Sequence, residues 1–245
     1  MRLETHIHTK EVSSCSACSA AEAVSRCVRL GYDGMVLTDH FSPYAHAKKR
    51  KIFWQDRVTF FLKGYLAARE AAPEGFTVLL GMEVSLLGAN NDYLVYGVNE
   101  AFLRRYEAFD FQGLAKFSKL AHDSGLMVFQ AHPFRFGSTI MKPQLLDGIE
   151  AYNGNANHES HNAIALAWAE TCGLLPISGS DYHGEASVEG AAPGGIELPG
   201  PVRDNEEFIH ALKSREYTLL HEEPPTETQP FAKDRYSPPW AGALK

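Results

Sequence analysis

Short apolar stretches recur along this chain, and each of them ends in polar or ionisable residues. Most are followed by a segment with helical periodicity. The stretch at residues 2–7 precedes a predicted helix at 19–30, and the stretch at 34–38 precedes one at 55–72. The later apolar stretches cover residues 76–82, 93–98, 126–131, 148–152 and 175–178. This alternation is typical of an α/β protein whose strands form a parallel sheet or a barrel.

Three further helices are predicted over residues 111–124, 156–172 and 205–215. The stretch at 93–98 follows 76–82 without a long helix between them. These two strands are therefore expected either to form a hairpin-like excursion or to lie next to one another.

The domain organisation follows from length and from one change in composition. A chain of 245 residues with 44% hydrophobic content can bury one sizeable core, so we predict a single barrel-like domain over residues 1–221. Residues 222–245 form a Pro-rich C-terminal tail that can be neither a helix nor a central strand. We expect this tail to pack on the barrel or on a neighbouring subunit through Phe231, Tyr236 and Trp240.

Charge and cysteine content exclude several classes of protein. A net charge of -7 and a pI near 5.9 argue against a protein that binds extended nucleic acid along its backbone. No secretory leader or membrane-spanning apolar run is visible, so we expect a soluble, cytoplasmic protein. Four cysteines are too few for a disulfide scaffold, and Cys15 and Cys18 lack the second C-x-x-C of a structural zinc site.

His6 and His8 stand at the end of the first apolar stretch. Residues two apart on a strand project from the same face, so both imidazoles can reach one metal ion. An H-x-H pattern is weak evidence by itself, because two histidines at a strand end can equally well only form hydrogen bonds.

The same kind of residue follows other predicted strands, at T-D-H, G-M-E, A-H-P and G-S-D-Y-H. In α/β barrels the carboxyl ends of the strands meet at one end of the domain, where the chemistry takes place. Nitrogen and oxygen donors without thiolate suit zinc, manganese or iron rather than calcium. Asp39 is predicted to orient a neighbouring ligand rather than bind metal. The residues expected to converge are His6, His8, Asp39, His40, Glu83, His132, Asp181 and His183.

These five blocks, in this order, resemble the polymerase and histidinol phosphatase (PHP) family, and they span most of the chain before the tail. The resemblance implies a distorted (β/α)7 TIM-like barrel that holds up to three metal ions and hydrolyses phosphomonoesters or phosphodiesters. It also implies that Glu83 bridges the first metal to a second, and that Glu83, Asp181 and His183 are catalytic. The implied ligands are His6, His8, Glu83 and Asp181 for the first ion, Glu83 and His132 for the second, and His40 and His183 for the third.

The chain departs from the family pattern in two places. Where the family has another Asp or His after H-x-H-T, either Glu11 or Cys15 takes that role, or the third site is weak. Where the family has a histidine after the bridging glutamate, this chain has Asp92, a carboxylate that can also bind zinc or manganese. We therefore predict two or three divalent ions, with zinc, manganese or iron as candidates.

Arg135 and Lys10 are the predicted contacts to a substrate phosphate. The planar fork of an arginine suits bidentate binding, although both residues can instead be solvated surface charges. The basic run at residues 46–51 is either a solvated loop or a rim that attracts phosphate. His158 and His161 can share a metal but lack a strand-end position, and Glu150 is interpreted as part of a hydrogen-bonded loop.

The leading hypothesis is a metal-dependent phosphoesterase that acts on a small phosphorylated metabolite or a nucleotide. One alternative is an exonuclease acting on nucleic acid ends, which the acidic composition disfavours. Another is a metal-binding sensor or scaffold with weakened catalysis, suggested by the two departures. An amidohydrolase-like enzyme that cleaves C–N bonds is the last, disfavoured by the missing lysine bridge and by the G-S-D-x-H form. The oligomeric state is left open.

Overall fold

The computed structural model describes residues 1–42, 53–87, 90–184 and 192–221. The predicted basic rim at 46–51 and the predicted tail at 222–245 lie outside the described residues. None of the described helices combines the length and apolar character that crossing a membrane requires.

Short strands and mostly longer helices alternate through the first two thirds of the chain. The strands are β1 (Arg2–Glu4), β2 (Gly34–Leu37), β3 (His40–Phe41), β4 (Thr77–Leu80), β5 (Met82–Ser85), β6 (Asp92–Tyr96), β7 (Met127–Gln130), β8 (Gly148–Asn153), β9 (Leu175–Gly179), β10 (Gly194–Glu197) and β11 (Thr218–His221). The helices are α1 (Ala20–Arg29), α2 (Trp54–Ala71), α3 (Glu100–Arg105), α4 (Leu114–Asp123), α5 (Asn162–Cys172) and α6 (Asn205–Ser214), with 3-10 turns at Phe109–Phe111 and Pro143–Leu145.

The prediction of an α/β fold is confirmed, and the sheets are mixed rather than purely parallel. One sheet has the order β11-β10-β1-β2-β4 and the other β3-β5-β6-β7-β8-β9. The predicted pairing of the stretches 76–82 and 93–98 is wrong for β4, which pairs with β2 in the first sheet, whereas β6 pairs antiparallel with β5. Within the described residues the strands form these two sheets and no single closed barrel, so the count of seven βα units stays a prediction.

The two sheets meet where the predicted functional blocks lie. Thr38 and Asp39 separate β2 from β3, and Gly81 separates β4 from β5. Beyond the ends of β1 and β9, Ile7 and Tyr182 form a parallel bridge. Hydrogen bonds from the Asp181 amide to the His6 carbonyl (2.8 Å) and from the His8 amide to the Tyr182 carbonyl (3.1 Å) close this seam. The strand ends on both sides are thereby brought into register.

Helix boundaries follow from local capping. The Ser19 hydroxyl accepts from the Glu22 amide while the Glu22 carboxylate accepts from the Ser19 amide, and this capping box starts α1 as the Ser19 signal predicts. The predicted start of α5 at residue 156 is wrong. His161 has a left-handed φ of 52° immediately before the helix, and side-chain hydrogen bonds hold the preceding residues in turns.

The central strands are buried on both faces. In β6, Tyr93 and Val95 pack into the cluster that includes Phe61 of α2, while Leu94 and Tyr96 pack into the cluster that includes Phe208 of α6. A strand covered on both faces needs an unbroken apolar run, as the sequence shows here. This core fixes the strand ends that carry the site.

Candidate metal centre

Four side chains, from the ends of two strands and from the start of a third, meet at one buried point. His6 and His8 follow β1, Glu83 lies in β5 and Asp181 follows β9. The Nε2 atoms of His6 and His8 both lie 3.3 Å from Asp181 Oδ1. They also lie 3.6 and 3.4 Å from the two carboxylate oxygens of Glu83. The convergence expected from the strand-end positions is therefore present.

Glu83 also belongs to a second group on its other side. His132 Nε2 lies 3.1 Å from Glu83 Oε1, and donor atoms of Glu83, Asp92 and His132 all lie within 4.8 Å of one another. One carboxylate thus faces two neighbouring sets of donors. This position is the one predicted for a bridging ligand.

A third group consists of His8, His40 and His183, whose ring nitrogens also lie within 4.8 Å of one another. His40 Nδ1 is 2.9 Å from Glu83 Oε2, and His183 Nδ1 is 3.4 Å from Asp181 Oδ1. The His8 ring stacks on His40 with centroids 4.5 Å apart. The third group therefore adjoins the first and shares His8 with it.

The donor sets fit divalent metal ions. Zinc holds nitrogen and oxygen ligands at about 2.0–2.2 Å, so two ligands of one ion lie roughly 3–3.5 Å apart. His6 Nε2 and His8 Nε2 are 3.0 Å apart, and their distances to Glu83 and Asp181 fall in or near this range. Nδ1 of His132 is buried and has no hydrogen-bond partner among the described residues.

The carboxylates of this centre are held in the charged form. Burial alone would raise the pKa of Glu83, but the His40 and His6 rings and a hydrogen bond with His132 hold it well below its usual value. Burial alone would also raise the pKa of Asp181. Its pKa is nevertheless held well below the usual value by the rings of His6, His158 and His8. Both residues are thus ready to bind cations.

The imidazoles differ from one another. Burial lowers the pKa of His6, but the carboxylates of Glu150, Asp181 and Glu83 hold it well above the usual value. Burial also lowers the pKa of His8, and the neighbouring rings of His183 and His40 lower it further. A positive charge is therefore favoured in this cluster, but not on every ring.

The backbone is strained at two of the predicted ligands. His132 and Asp181 have φ angles of 25° and 51°, in the left-handed region that favours glycine. Such conformations cost about 1–3 kcal/mol each and occur often at functional sites. The neighbouring Gly179 allows a close approach, because a Cβ atom there would lie 2.3 Å from His6 Cβ.

Glu150 was not assigned to the site from sequence, yet it lies directly beneath it. The buried carboxylate of Glu150 in β8 accepts from His6 Nδ1 at 2.7 Å, from the His132 amide at 2.7 Å and from Asn153 Nδ2 at 3.0 Å. A histidine that donates its second ring nitrogen to a carboxylate is fixed in tautomer and orientation. The sequence predicted the end of a strand near Glu150, which was the available signal; the residue lies within β8, so the interpretation as part of a loop is wrong.

Replacing Glu150 with Gln is expected to lower the affinity for the most tightly bound metal ion by about 10- to 100-fold, because His6 loses its charged hydrogen-bond acceptor. Competition with a chromophoric chelator measures this affinity. Glu170→Gln, on an exposed turn of α5, is the matched control. Equal zinc affinities for Glu150→Gln and the control would contradict the positioning role.

Asp39 is close to the centre but touches no imidazole ring. Its carboxylate accepts from the Thr9 amide at 2.7 Å, the Thr9 hydroxyl at 2.6 Å and the Ser13 hydroxyl at 2.6 Å. Ser13 Oγ in turn lies 3.4 Å from His8 Nδ1 and accepts from the His40 amide. Burial raises the pKa of Asp39 to about 6 against these hydrogen bonds. Asp39 can therefore orient His8 through Ser13, a residue that sequence reasoning missed.

Of the two candidates for an extra ligand of the third group, Cys15 lies at the centre and Glu11 does not. Burial would raise the pKa of Cys15, but hydrogen bonds with His183 and His40 lower it to about 6. The Glu11 carboxylate accepts from the Ala20 amide at 3.1 Å and so occupies the N-terminus of α1.

Lys10, a predicted phosphate contact, also lies elsewhere. Its Nζ is 3.8 Å from Glu22 Oε2, and its side chain is about half exposed beside α1. The Glu22 carboxylate in the first turn of α1 is therefore the described ionic partner of this lysine.

A cavity of about 430 Å³ opens above the donor groups. Arg135 lines it, and its Nη2 lies 3.2 Å from Asp92 Oδ2. His158 also lines it, with Nε2 3.5 Å from Asp181 Oδ2, whereas His161 Nδ1 lies 3.1 Å from the Phe134 carbonyl oxygen. His158 and His161 therefore have different partners and do not form a common site.

Comparison with known proteins agrees with this geometry. The model of the PHP domain matches residues 4–171, which is more than half of the chain. A comparison with curated proteins finds no match. The chain belongs to the PHP domain family.

Solved structures share the fold at low sequence identity. A two-domain protein from Bacteroides vulgatus ATCC 8482 containing a predicted PHP-like metal-dependent phosphoesterase has a TM-score of 0.65 at 18% identity, over 91% of this chain and 65% of that one. This chain therefore spans less than two thirds of that protein. PsfC from Pseudomonas syringae PB-5123 has a TM-score of 0.64 at 20% identity, over 90% and 91% of the two chains. The lesion-specific endonuclease PfuEndoQ from Pyrococcus furiosus has a TM-score of 0.53 at 12% identity, over 89% and 57%.

Proposed function

We propose that this chain, as a member of the PHP domain family, hydrolyses the phosphate ester of a small phosphorylated metabolite or nucleotide with the help of bound metal ions. The observation that carries the proposal is the placement of Glu83 between two donor groups at the floor of a cavity. We also propose that the two sheets correspond to a distorted (β/α)7 barrel.

Two or three zinc, manganese or iron ions are the proposed cofactors. His6, His8, Glu83 and Asp181 would hold the first, Glu83, Asp92 and His132 the second, and His8, His40 and His183 are available to a third. Glu83, Asp181 and His183 keep their predicted catalytic role. When bound, such ions lower the pKa of a coordinated water and neutralise charge on the phosphate oxygens.

The chain's own residues bind and orient the ester. Arg135 lines the cavity with a guanidinium that can donate two parallel hydrogen bonds to phosphate oxygens. Asp92 Oδ2 lies 3.2 Å from Nη2 of that guanidinium and can hold it in place. The burial of Glu83 and Asp181 strengthens their interaction with cationic groups, because little water screens them.

The size of the cavity supports a small substrate. A volume of about 430 Å³ lies in the range of small-molecule sites, which is roughly 300–1,000 Å³. The net charge of -7 disfavours an extended nucleic acid, whose binding depends on neutralising many phosphates. A small phosphorylated molecule is therefore the partner that we propose, without a membrane component.

The test combines metal analysis with a substrate panel. Purified full chain is loaded with zinc, manganese or iron(II), and release of phosphate or alcohol is measured from phosphomonoesters, dinucleotides and cyclic amides. We expect metal-dependent hydrolysis of at least one phosphomonoester or nucleotide, and a loss on the order of 10²-fold or more in His8→Ala, which lacks a ligand. His210→Ala, on α6, is the matched control.

Three results would overturn the proposal. Hydrolysis of the cyclic amides alone would indicate C–N bond chemistry. Selective degradation of nucleic acid ends would indicate an exonuclease, and metal binding without hydrolysis of any ester would indicate a sensor or scaffold.

A further inference from the structure

We infer that Cys15 is a thiolate ligand of the metal ion held by His8, His40 and His183, so that this position selects zinc or iron(II) over manganese and magnesium. The inference rests on the metal centre of the proposed function. It adds a sulfur donor to a site otherwise composed of nitrogen and oxygen donors.

The side-chain contacts of Cys15 carry this inference. Its thiol makes hydrogen-bonding contacts with both His40 and His183, two of the three rings of the third donor group. The three side chains also line the same cavity. The Cys15 sulfur together with the three imidazoles would supply four donors, the number that zinc prefers.

The loop that carries Cys15 is held in this position from both sides. The Ala17 amide donates to the His183 carbonyl oxygen at 2.7 Å, and the Ser16 hydroxyl donates to the same oxygen at 3.2 Å. The Ser16 amide donates to the Ser13 carbonyl oxygen at 2.9 Å, next to His8. These hydrogen bonds link the loop to the chain segments that carry His183 and His8. The backbone of the loop therefore holds Cys15 near the histidine rings.

The neighbouring candidates have other partners. Glu11 accepts from the Ala20 amide at 3.1 Å and stabilises the start of α1. Cys18 is buried, and its thiol donates to the Ser19 carbonyl oxygen at 3.3 Å, away from the three rings. Cys15 is a free thiol in this structure, so a ligand role does not compete with a disulfide.

Sulfur at this position changes the metal preference of the site. A thiolate is a soft ligand that favours zinc, iron and cobalt, whereas manganese and magnesium prefer carboxylate and water oxygens. Metal binding forms one metal–sulfur bond with the thiolate, any proton still on the sulfur passes to solvent, and the oxidation state of sulfur does not change. The thiolate charge also offsets the charge of an ion that is surrounded by three neutral imidazoles.

Cobalt(II) titration of the full chain tests the inference directly. We expect a thiolate-to-cobalt charge-transfer absorption in the near ultraviolet from the wild type and from Cys172→Ser, and its loss in Cys15→Ser. The weakest zinc equivalent should bind at least tenfold more weakly in Cys15→Ser. Cys172, partly buried at the end of α5, is the matched control.

A second measurement on the unaltered chain covers the case in which Cys15→Ser does not fold. Alkylation of Cys15 by iodoacetamide, mapped by mass spectrometry, should be at least tenfold slower with zinc than with manganese or without metal. An unchanged cobalt band in folded Cys15→Ser, or equal alkylation rates with and without zinc, would overturn the inference. A cobalt–thiolate band without ester hydrolysis would contradict the proposed function alone.

Discussion

Glu83→Gln is expected to reduce kcat on the best phosphate ester by about 10³-fold or more and to remove the metal equivalents that share this carboxylate. The side chain lies within 3.6 Å of the ring nitrogens of His6, His8, His40 and His132. The amide of glutamine retains the shape but neither the charge nor the second acceptor oxygen. Two donor groups would lose their common ligand through one substitution.

The measurement is steady-state kinetics combined with metal analysis of the purified variant. Glu70→Gln, exposed on α2, is the matched control and should keep both metal content and rate. A Glu83→Gln variant with full metal content and a rate within tenfold of the wild type would contradict a bridging role. Circular dichroism shows whether the variant is folded.

Removal of the metal ions is the second large effect, and its size should depend on pH. Saturating metal at about 1,000 times its dissociation constant stabilises the folded state by about 4 kcal/mol. Chelation should therefore abolish hydrolysis and lower Tm by several degrees. The pH dependence follows from the pKa shifts of the cluster.

The carboxylates and most of the imidazoles stabilise the folded, metal-free protein in opposite pH ranges. The lowered pKa values of Glu83 and Asp181 give the metal-free protein stability that is present above about pH 4.3 and is lost as pH falls through the lowered values. A raised histidine pKa gives stability that is complete below about pH 6.5 and is lost as pH rises through the raised value. The histidines of this kind are His6, His40, His132 and His183.

His8 has a lowered pKa and opposes the other four rings, since its contribution is lost as pH falls below about 6.5. The four raised values dominate, so the metal-free protein should lose stability as pH rises above neutrality. Metal binding requires neutral imidazoles and therefore strengthens over the same range. The difference in Tm between loaded and chelated protein should be larger at about pH 8 than at about pH 6. A difference that shrinks at the higher pH would contradict this sign.

The convergence of donors could be predicted because it depends on a simple rule of topology. His6, His132 and Asp181 lie just beyond strand ends, and Glu83 lies near the start of β5, shortly after the end of β4. Strand ends at one side of an α/β domain meet in space. Glu150 was predicted near a strand end and lies within β8 beside the same centre, but it was set aside because its surrounding residues match no ligand block. The rule of topology was the better guide at that position.

Other features depend on contacts that a linear pattern does not contain. Lys10 was predicted near the centre because it follows the first motif, and Glu11 because the family pattern has a ligand in this region. The first turn of α1 provides partners for both. Strand β10 was not predicted, because three of its four residues are glycine or glutamate, which have a low propensity for β-strands. Its pairing with β1 and β11 stabilises it instead.

We expect the backbone at the seam between the two sheets to respond to metal binding. The amides of His8 and Asp181 donate across this seam, and each belongs to a predicted ligand. An ion bound to both side chains is expected to keep the hydrogen bonds of those two amides formed. Their hydrogen-exchange rates would therefore report whether the centre is loaded, without a substrate and without any altered residue.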